Sequence, residues 1–214
     1  MKITVIGAGS WGTTLAALLG EKGFDVKLWC RREELSNQIE SVKENKQYLP
    51  GIKIPANVIA DHSLKNAIKN SEIIITTVPS EFLRSTIKEI RHHYSSQIIV
   101  STTKGIEHHS CKRMSQVIED ELGKAKIAVL SGPNHAEEVS IKMPTASVVA
   151  SRDKKTSKVV AEVLATPYFK LYQLNDVAGA EICGALKNIS AIATGVVDGL
   201  GFGEQLKARC LKLL

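Results

Sequence analysis

Three groups of residues combine type and spacing in ways that chemistry can use. The first is Gly7-Ala8-Gly9-Ser10-Trp11-Gly12, a G-x-G-x-x-G placed between a β-branched run and a helical one. In that context Gly7 permits a tight turn, Gly9 lets a pyrophosphate approach the backbone, and Gly12 lets helix and strand pack closely. Ser10 and Trp11 open the helix, whose free N–H groups and positive end suit phosphate. The second group lies about 20 residues further on, where a carboxylate selects a ribose hydroxyl in NAD binders. Here the chain reads Trp29-Cys30-Arg31-Arg32. Two guanidiniums suit a 2′-phosphate through charge-assisted contacts, which favours NADP over NAD. The alternative is that Arg31 and Arg32 are solvated and pair with Glu33 and Glu34.

The third group is a pair of lysines. Lys104 precedes Gly105 in a loop after a strand, where it would meet a phosphate or a carbonyl oxygen, or simply water. Lys187 stands in a stretch otherwise small or apolar, with Ser190, Thr194 and Asp198 following at i+3, i+7 and i+11. That spacing makes one polar stripe, facing a substrate cleft, a partner or the rim of a domain. Loops 78–80 and 131–134 complete the set at the carboxyl ends of strands, where open α/β sheets bind ligands. The paired histidines His92-His93 and His108-His109 diverge on any regular element, no metal set is completed, and His135 reads as structural. The cysteines read as small core hydrophobes.

To position these residues the chain alternates strand-like and helix-like runs, the pattern of a doubly wound α/β fold with a parallel sheet. Strands are predicted at 2–6, 25–29, 72–77, 97–101, 127–130, 146–150 and 169–174. Between them, Leu15, Leu18 and Leu19 share a helical face, as do Leu83, Ile87 and Ile90, then Met114, Val117, Ile118 and Leu122, then Val159, Val160, Val163 and Leu164. Gly23 closes the first helix, Ser80 caps one starting at Glu81, and Pro167 follows one ending near Ala165. Residues 46–55 read as a turn-bearing excursion. From 177 to 202 the chain is rich in Ala, Gly and Ile, which predicts a buried helix whose N-cap is supplied by Leu174-Asn175-Asp176. The expected division is a dinucleotide-binding domain over 1–175 and the first part of an all-helical domain over 176–214.

Composition narrows the function classes. Of 28 basic and 22 acidic residues, each half of the chain carries 14 and 11. So even a spread excludes a nucleic-acid arm and a polybasic membrane patch, and leaves small anionic ligands in clefts. With 43% apolar residues and no unbroken apolar run near ~18 residues, no membrane span is expected. Cys30, Cys111, Cys183 and Cys210 are widely spaced and no secretory leader is evident, which points to the reducing cytoplasm.

With these residues in place, the chain resembles the bacterial NAD(P)-dependent glycerol-3-phosphate dehydrogenase family. The likeness runs through the glycine loop, Val78-Pro79-Ser80, Thr103-Lys104-Gly105-Ile106-Glu107, Ser131-Gly132-Pro133, Glu181-Ile182-Cys183-Gly184-Ala185-Leu186-Lys187-Asn188 and Asp198-Gly199-Leu200-Gly201-Phe202-Gly203. It implies a Rossmann-like sheet, and reversible reduction of dihydroxyacetone phosphate to sn-glycerol 3-phosphate for phospholipid synthesis. It also implies cofactor binding by Ser10, Trp11, Arg31, Arg32, Lys104 and Ala136, and substrate contacts from Lys104, Gly132, Asn134, Lys187 and Asn188. Lys187 would be the acid/base, and a homodimer is implied. Asn134 stands where the family usually has Ser or Thr. After Gly203 the sequence leaves the family pattern, so a truncated helical domain with weakened activity is expected. The competing readings are a non-catalytic NADP-binding fragment and a ketopantoate-type or related ketoacid reductase.

Overall fold

Ile73, Ile74 and Ile75 are all covered, which an isoleucine run achieves only in a central strand with helices on both faces. A computed structural model describes residues 1–205 and shows how this arises. In chain order the elements are β1 (Lys2–Ile6), α1 (Ser10–Glu21), β2 (Asp25–Trp29), α2 (Glu33–Val42), β3 (Glu44–Asn45), β4 (Leu49–Lys53), β5 (Val58–Asp61), α3 (Leu64–Ile68) and β6 (Ile73–Thr76). They continue with α4 (Ser80–Arg91), β7 (Ile98–Ser101), α5 (Met114–Leu122), β8 (Lys126–Ser131), α6 (Ala136–Ser140), β9 (Thr145–Ala150), α7 (Lys154–Leu164), β10 (Phe169–Leu174) and α8 (Val177–Gly199).

Eight strands form one sheet in the order β10-β9-β8-β7-β6-β1-β2-β5. The chain runs outward from β1 to β2 and β5, then returns to lay β6 on the other side of β1. Strand order reverses between β1 and β6, which opens a crevice at their carboxyl ends. On one face, Leu15, Leu19, Ile39, Val160 and Leu164 of α1, α2 and α7 pack on Ile3, Val5 and Leu28. On the other, Leu83, Ile87, Ile90, Val117 and Ile118 of α4 and α5 pack on Ile6, Ile74 and Ile99. The helical faces predicted from periodicity are these faces, except that Val159 is exposed.

The structure departs from the sequence reading in five further places. The sheet is not wholly parallel: β9 runs antiparallel to β8 and parallel to β10. Between β8 and β9 the chain makes only the five-residue α6, which lies against α1 instead of crossing the sheet. The 46–55 excursion is held by an antiparallel hairpin of β3 and β4, and β5, an unpredicted edge strand, extends the sheet beside β2. Ser80 does not cap α4; it is the first helical residue, after Pro79. Asp176, in contrast, caps α8 as expected, accepting from the Gly179 N–H at 2.8 Å.

The fourth departure concerns α8, which was expected to be buried. Among its described residues only Val177, Ala180, Glu181 and Ser190 are buried, while Ile189 and Ile192 are 63% and 69% exposed. By length and composition α8 alone among the described helices would suffice to cross a membrane. Its three charges, Glu181, Lys187 and Asp198, are spread along the helix, a pattern that a search for unbroken apolar runs misses. Its amino-terminal half is anchored to the protein: the Glu181 carboxylate accepts from the Ser115 backbone N–H at 2.6 Å and hydroxyl at 2.7 Å, and pairs with Arg113. Cys111 and Cys183 are exposed rather than core residues, Cys30 is buried, and Cys210 lies outside the described residues.

Candidate active site

The glycine loop occupies the crevice between β1 and β6. Gly7 has φ +113°, a conformation that L side chains rarely adopt. At Gly12 a Cβ would lie 1.8 Å from the Gly7 carbonyl oxygen and 2.6 Å from Thr77 Oγ1, so the helix start packs onto the turn with no room for a side chain. Around Gly9 the protein leaves open space: a Cβ there would meet nothing within 4 Å. No side chain caps the α1 amino terminus. A turn with an open approach and uncapped helical N–H groups fits the pyrophosphate of a dinucleotide.

Two residues that the sequence reading missed hold this loop. Thr77 Oγ1 lies 3.0 Å from the Ile6 carbonyl and 2.9 Å from that of Gly7. Asn45, fully buried at the hairpin, donates from Nδ2 to the Ala8 carbonyl at 2.9 Å and lies 2.8 Å from Thr13 Oγ1. Both act across long sequence separations, and no local spacing reveals such partners.

A cleft of about 440 Å³ opens above the loop, lined among others by Ser10, Trp11, Lys104, Gly132, Asn134 and Ala136. Six residues singled out from sequence thus meet in one place. Trp11 also sets its ring edge-on to Phe169 at 6.3 Å. Ala136 is tied to α1, its carbonyl accepting from Thr14 Oγ1 at 3.1 Å. At Gly132 a Cβ would fall 2.3 Å from Ser147 Oγ, so glycine alone fits. The Asn134 side chain turns toward β9: its Nδ2 donates to Thr145 Oγ1 and the Ala146 carbonyl, and its Oδ1 accepts from Ser147. His135, at the amino end of α6, shares the cleft wall.

Lys104 donates from Nζ to the Gly132 carbonyl at 3.2 Å. Partial desolvation, then the charge of Lys187, hold its ammonium below the ordinary lysine range. Lys187 is not among the residues that line the cleft, but its helix approaches the 131–134 loop. Gly184, one turn earlier, explains the approach, since a Cβ there would come within 2.8 Å of Ser131 Oγ. Lys187 and Asn188, at i+3 and i+4 from Gly184, share its face of α8.

Arg31 and Arg32 stand apart from the cleft, beyond the end of β2. The Arg31 guanidinium lies 5.4 Å from the Phe82 ring centroid, a cation–π contact. Arg32 Nη2 donates to Gln47 Oε1 at 2.6 Å and Tyr48 Oη at 3.2 Å. Both arginines are exposed, as the solvated alternative expects, and among the described ion pairs neither engages Glu33 or Glu34.

The family described as NAD-dependent glycerol-3-phosphate dehydrogenase N-terminus matches residues 2–157, and its C-terminus counterpart matches 176–213. The chain belongs to the NAD-dependent glycerol-3-phosphate dehydrogenase family. A glycerol-3-phosphate dehydrogenase [NAD(P)+] of Chlorobium phaeobacteroides (strain BS1) is 47% identical over 212 residues, covering 97% of this chain and 64% of that protein. One from Moorella thermoacetica is 45% identical over 207 residues, with 96% and 62% covered. The crystal structure of glycerol-3-phosphate dehydrogenase from Coxiella burnetii superposes with a TM-score of 0.92 at 35% identity, over 99% of this chain and 65% of that one. The chain thus spans somewhat under two thirds of the length of these glycerol-3-phosphate dehydrogenases.

One acidic residue near the cleft has a marked electrostatic signature. Arg84 grips the Glu107 carboxylate at both oxygens, 2.8 and 2.7 Å away, and with Ser110 holds its pKa down to about 2. A carboxylate depressed in the fold stabilises it above the unfolded-state value near 4.5, and loses that contribution as pH falls toward 2. Urea midpoints should therefore decline between about pH 4.5 and 2, and Glu107→Gln should flatten that decline. An unchanged slope in the variant would refute the assignment.

Proposed function

We propose that the protein interconverts dihydroxyacetone phosphate and sn-glycerol 3-phosphate with a nicotinamide dinucleotide, NADP in preference to NAD, supplying glycerol phosphate for phospholipid synthesis in the cytoplasm. The observation that carries the reading is one cleft in which a glycine loop open at Gly9 meets Lys104 and the 132–136 segment at the carboxyl end of the sheet. Family membership supports it, as do the unpaired thiols Cys30, Cys111 and Cys183 for the compartment.

On this reading the α1 amino terminus and the loop from Gly7 to Gly12 hold the pyrophosphate, and Ala136 and Trp11 wall the cleft beside it. The bound cofactor supplies or accepts the hydride at substrate C2. The Lys187 ammonium gives its proton to the C2 oxygen as that oxygen gains negative charge, and the neutral amine takes the proton back in the reverse direction. Lys104, held on the Gly132 carbonyl, presents a second positive charge to the substrate's anionic oxygens. Asn134 shapes the β9 side of the cleft through its bonds to Thr145 and Ser147.

The test is direct. NADPH fluorescence should rise when the protein is added and then decay when dihydroxyacetone phosphate follows, whereas ketopantoate should leave it steady. Binding without decay would mark a non-catalytic NADP module and overturn the reading. Removing a charge-assisted phosphate contact costs about tenfold or more in affinity, so Arg32→Ala should weaken NADPH by that factor and leave NADH nearly unchanged. Equal losses for both cofactors, measured by fluorescence titration, would remove the case for NADP.

A further inference from the structure

A lysine on a free loop would swing out to water. Lys104 instead lies in the cleft wall with its ammonium partly desolvated, so something must fix the loop that carries it. The Gly132 carbonyl is one tether. Beyond Lys104 the backbone is closely specified: Gly105 has φ +125°, Ile106 bridges Arg113, and Glu107 exchanges backbone bonds with Lys112 and Cys111. The Glu107 carboxylate then takes the two-pronged grip of Arg84.

Arg84 is placed to act on more than one element. It stands on α4, five residues after the cleft-lining Pro79, and also holds Glu121 Oε1 at 2.6 Å and Asp120 Oδ2 at 3.0 Å on α5. Lys112, from the Lys104 loop, reaches the same Asp120 at 2.7 Å. A planar guanidinium in a two-pronged pair fixes direction as well as distance. The cluster thus joins α4, α5 and the 103–113 loop, the elements that follow β6 and β7 at the ligand-binding end of the sheet.

We propose that the Arg84–Glu107 pair is a positioning device that fixes the 103–113 loop, and with it holds Lys104 on the Gly132 carbonyl at the cleft wall, aimed at an anionic substrate. That the substrate is a three-carbon phosphate rests on the functional reading above; the placement of Lys104 does not.

Glu107→Gln and Glu121→Gln separate positioning from general support, because both lose a contact to Arg84 and only Glu107 belongs to the Lys104 loop. The Lys104 ammonium is titrated by NMR in protein with ¹³C-methylated lysines, and sn-glycerol 3-phosphate binding is measured by calorimetry with NADPH present. In Glu107→Gln the Lys104 titration should rise toward that of an ordinary lysine, and glycerol phosphate should bind about tenfold more weakly. Glu121→Gln should leave both unchanged, and Glu107→Asp should restore part of each. Arg84→Lys, which keeps the charge and loses the two-pronged geometry, should behave as Glu107→Gln does and serves if that variant does not fold. An unmoved Lys104 titration in Glu107→Gln, or equal shifts in the Glu107 and Glu121 variants, would overturn the proposal. If the unaltered protein takes no glycerol phosphate, the functional reading fails and the Lys104 titration alone decides.

Discussion

Replacing Lys187 by alanine should lower the rate of dihydroxyacetone phosphate reduction by about three orders of magnitude while NADPH binds as before. The size follows from the role proposed for it. Without a proton donor at C2, the oxygen must take its proton from water, and positioned general acids contribute roughly 10²–10⁴-fold. The selectivity follows from place. Lys187 lies on α8, reached across Ser131 and Lys104, whereas the surfaces proposed to hold the dinucleotide belong to α1, α6 and the end of β2. Lys187→Arg sharpens the test, because a guanidinium keeps the positive charge and does not release its proton near neutral pH. If Lys187 moves a proton, arginine should be nearly as inactive as alanine. If it only attracts the substrate, arginine should restore most of the rate. An alanine variant within threefold of the parent in stopped-flow NADPH oxidation would remove Lys187 from the chemistry altogether.

How far such residues can be read from a sequence depends on the range of the interaction that defines them. The roles of Gly7, Gly9 and Gly12 were legible because the constraint is local: a turn, an approach and a helix start lie within six residues. Lys187 drew notice because a cation amid small and apolar residues demands an explanation, and its proposed role awaits the test above. Thr77 and Asn45 were not legible, although they hold the glycine loop, because their partners lie 70, 37 and 32 residues away and neither falls in a periodic pattern. The same holds for Arg84, which looks like an ordinary solvated residue of α4 until the fold brings Glu107 and Glu121 to it. At the level of topology, the β-branched runs identified seven of the strands. They carried no information on direction, so the reversal at β9 was invisible. The short edge strand β5, half open to solvent, lacks the buried isoleucines that marked β6 and β7. For α8, composition indicated burial, while in the described residues the fold covers little beyond its first two turns.

Gly12→Ala and Gly9→Ala should separate the two duties of the glycine loop by their stabilities. In Gly12→Ala the new methyl would sit 1.8 Å from the Gly7 carbonyl oxygen, a backbone atom that no rotamer change can move, and 2.6 Å from Thr77 Oγ1. Either α1 withdraws from β1 or the turn opens. In both cases the Thr77 and Asn45 bonds that fix the loop are stretched, and the buried face of Leu15, Leu18 and Leu19 loses contact. Alanine's better helix propensity returns only about 1 kcal/mol, against a forced clash that costs 1–3 kcal/mol or more. The variant should therefore unfold at lower urea and bind NADPH at least about a hundredfold more weakly, since the N–H groups no longer converge. Gly9→Ala meets no protein atom and needs no left-handed backbone, so its urea midpoint should be nearly unchanged. Its methyl nevertheless fills the space reserved for the pyrophosphate, and NADPH affinity should fall as steeply as in Gly12→Ala. Equal stability for both variants would mean that the packing at Gly12 can relax. Normal NADPH binding by Gly9→Ala would mean that the dinucleotide does not approach the loop there at all.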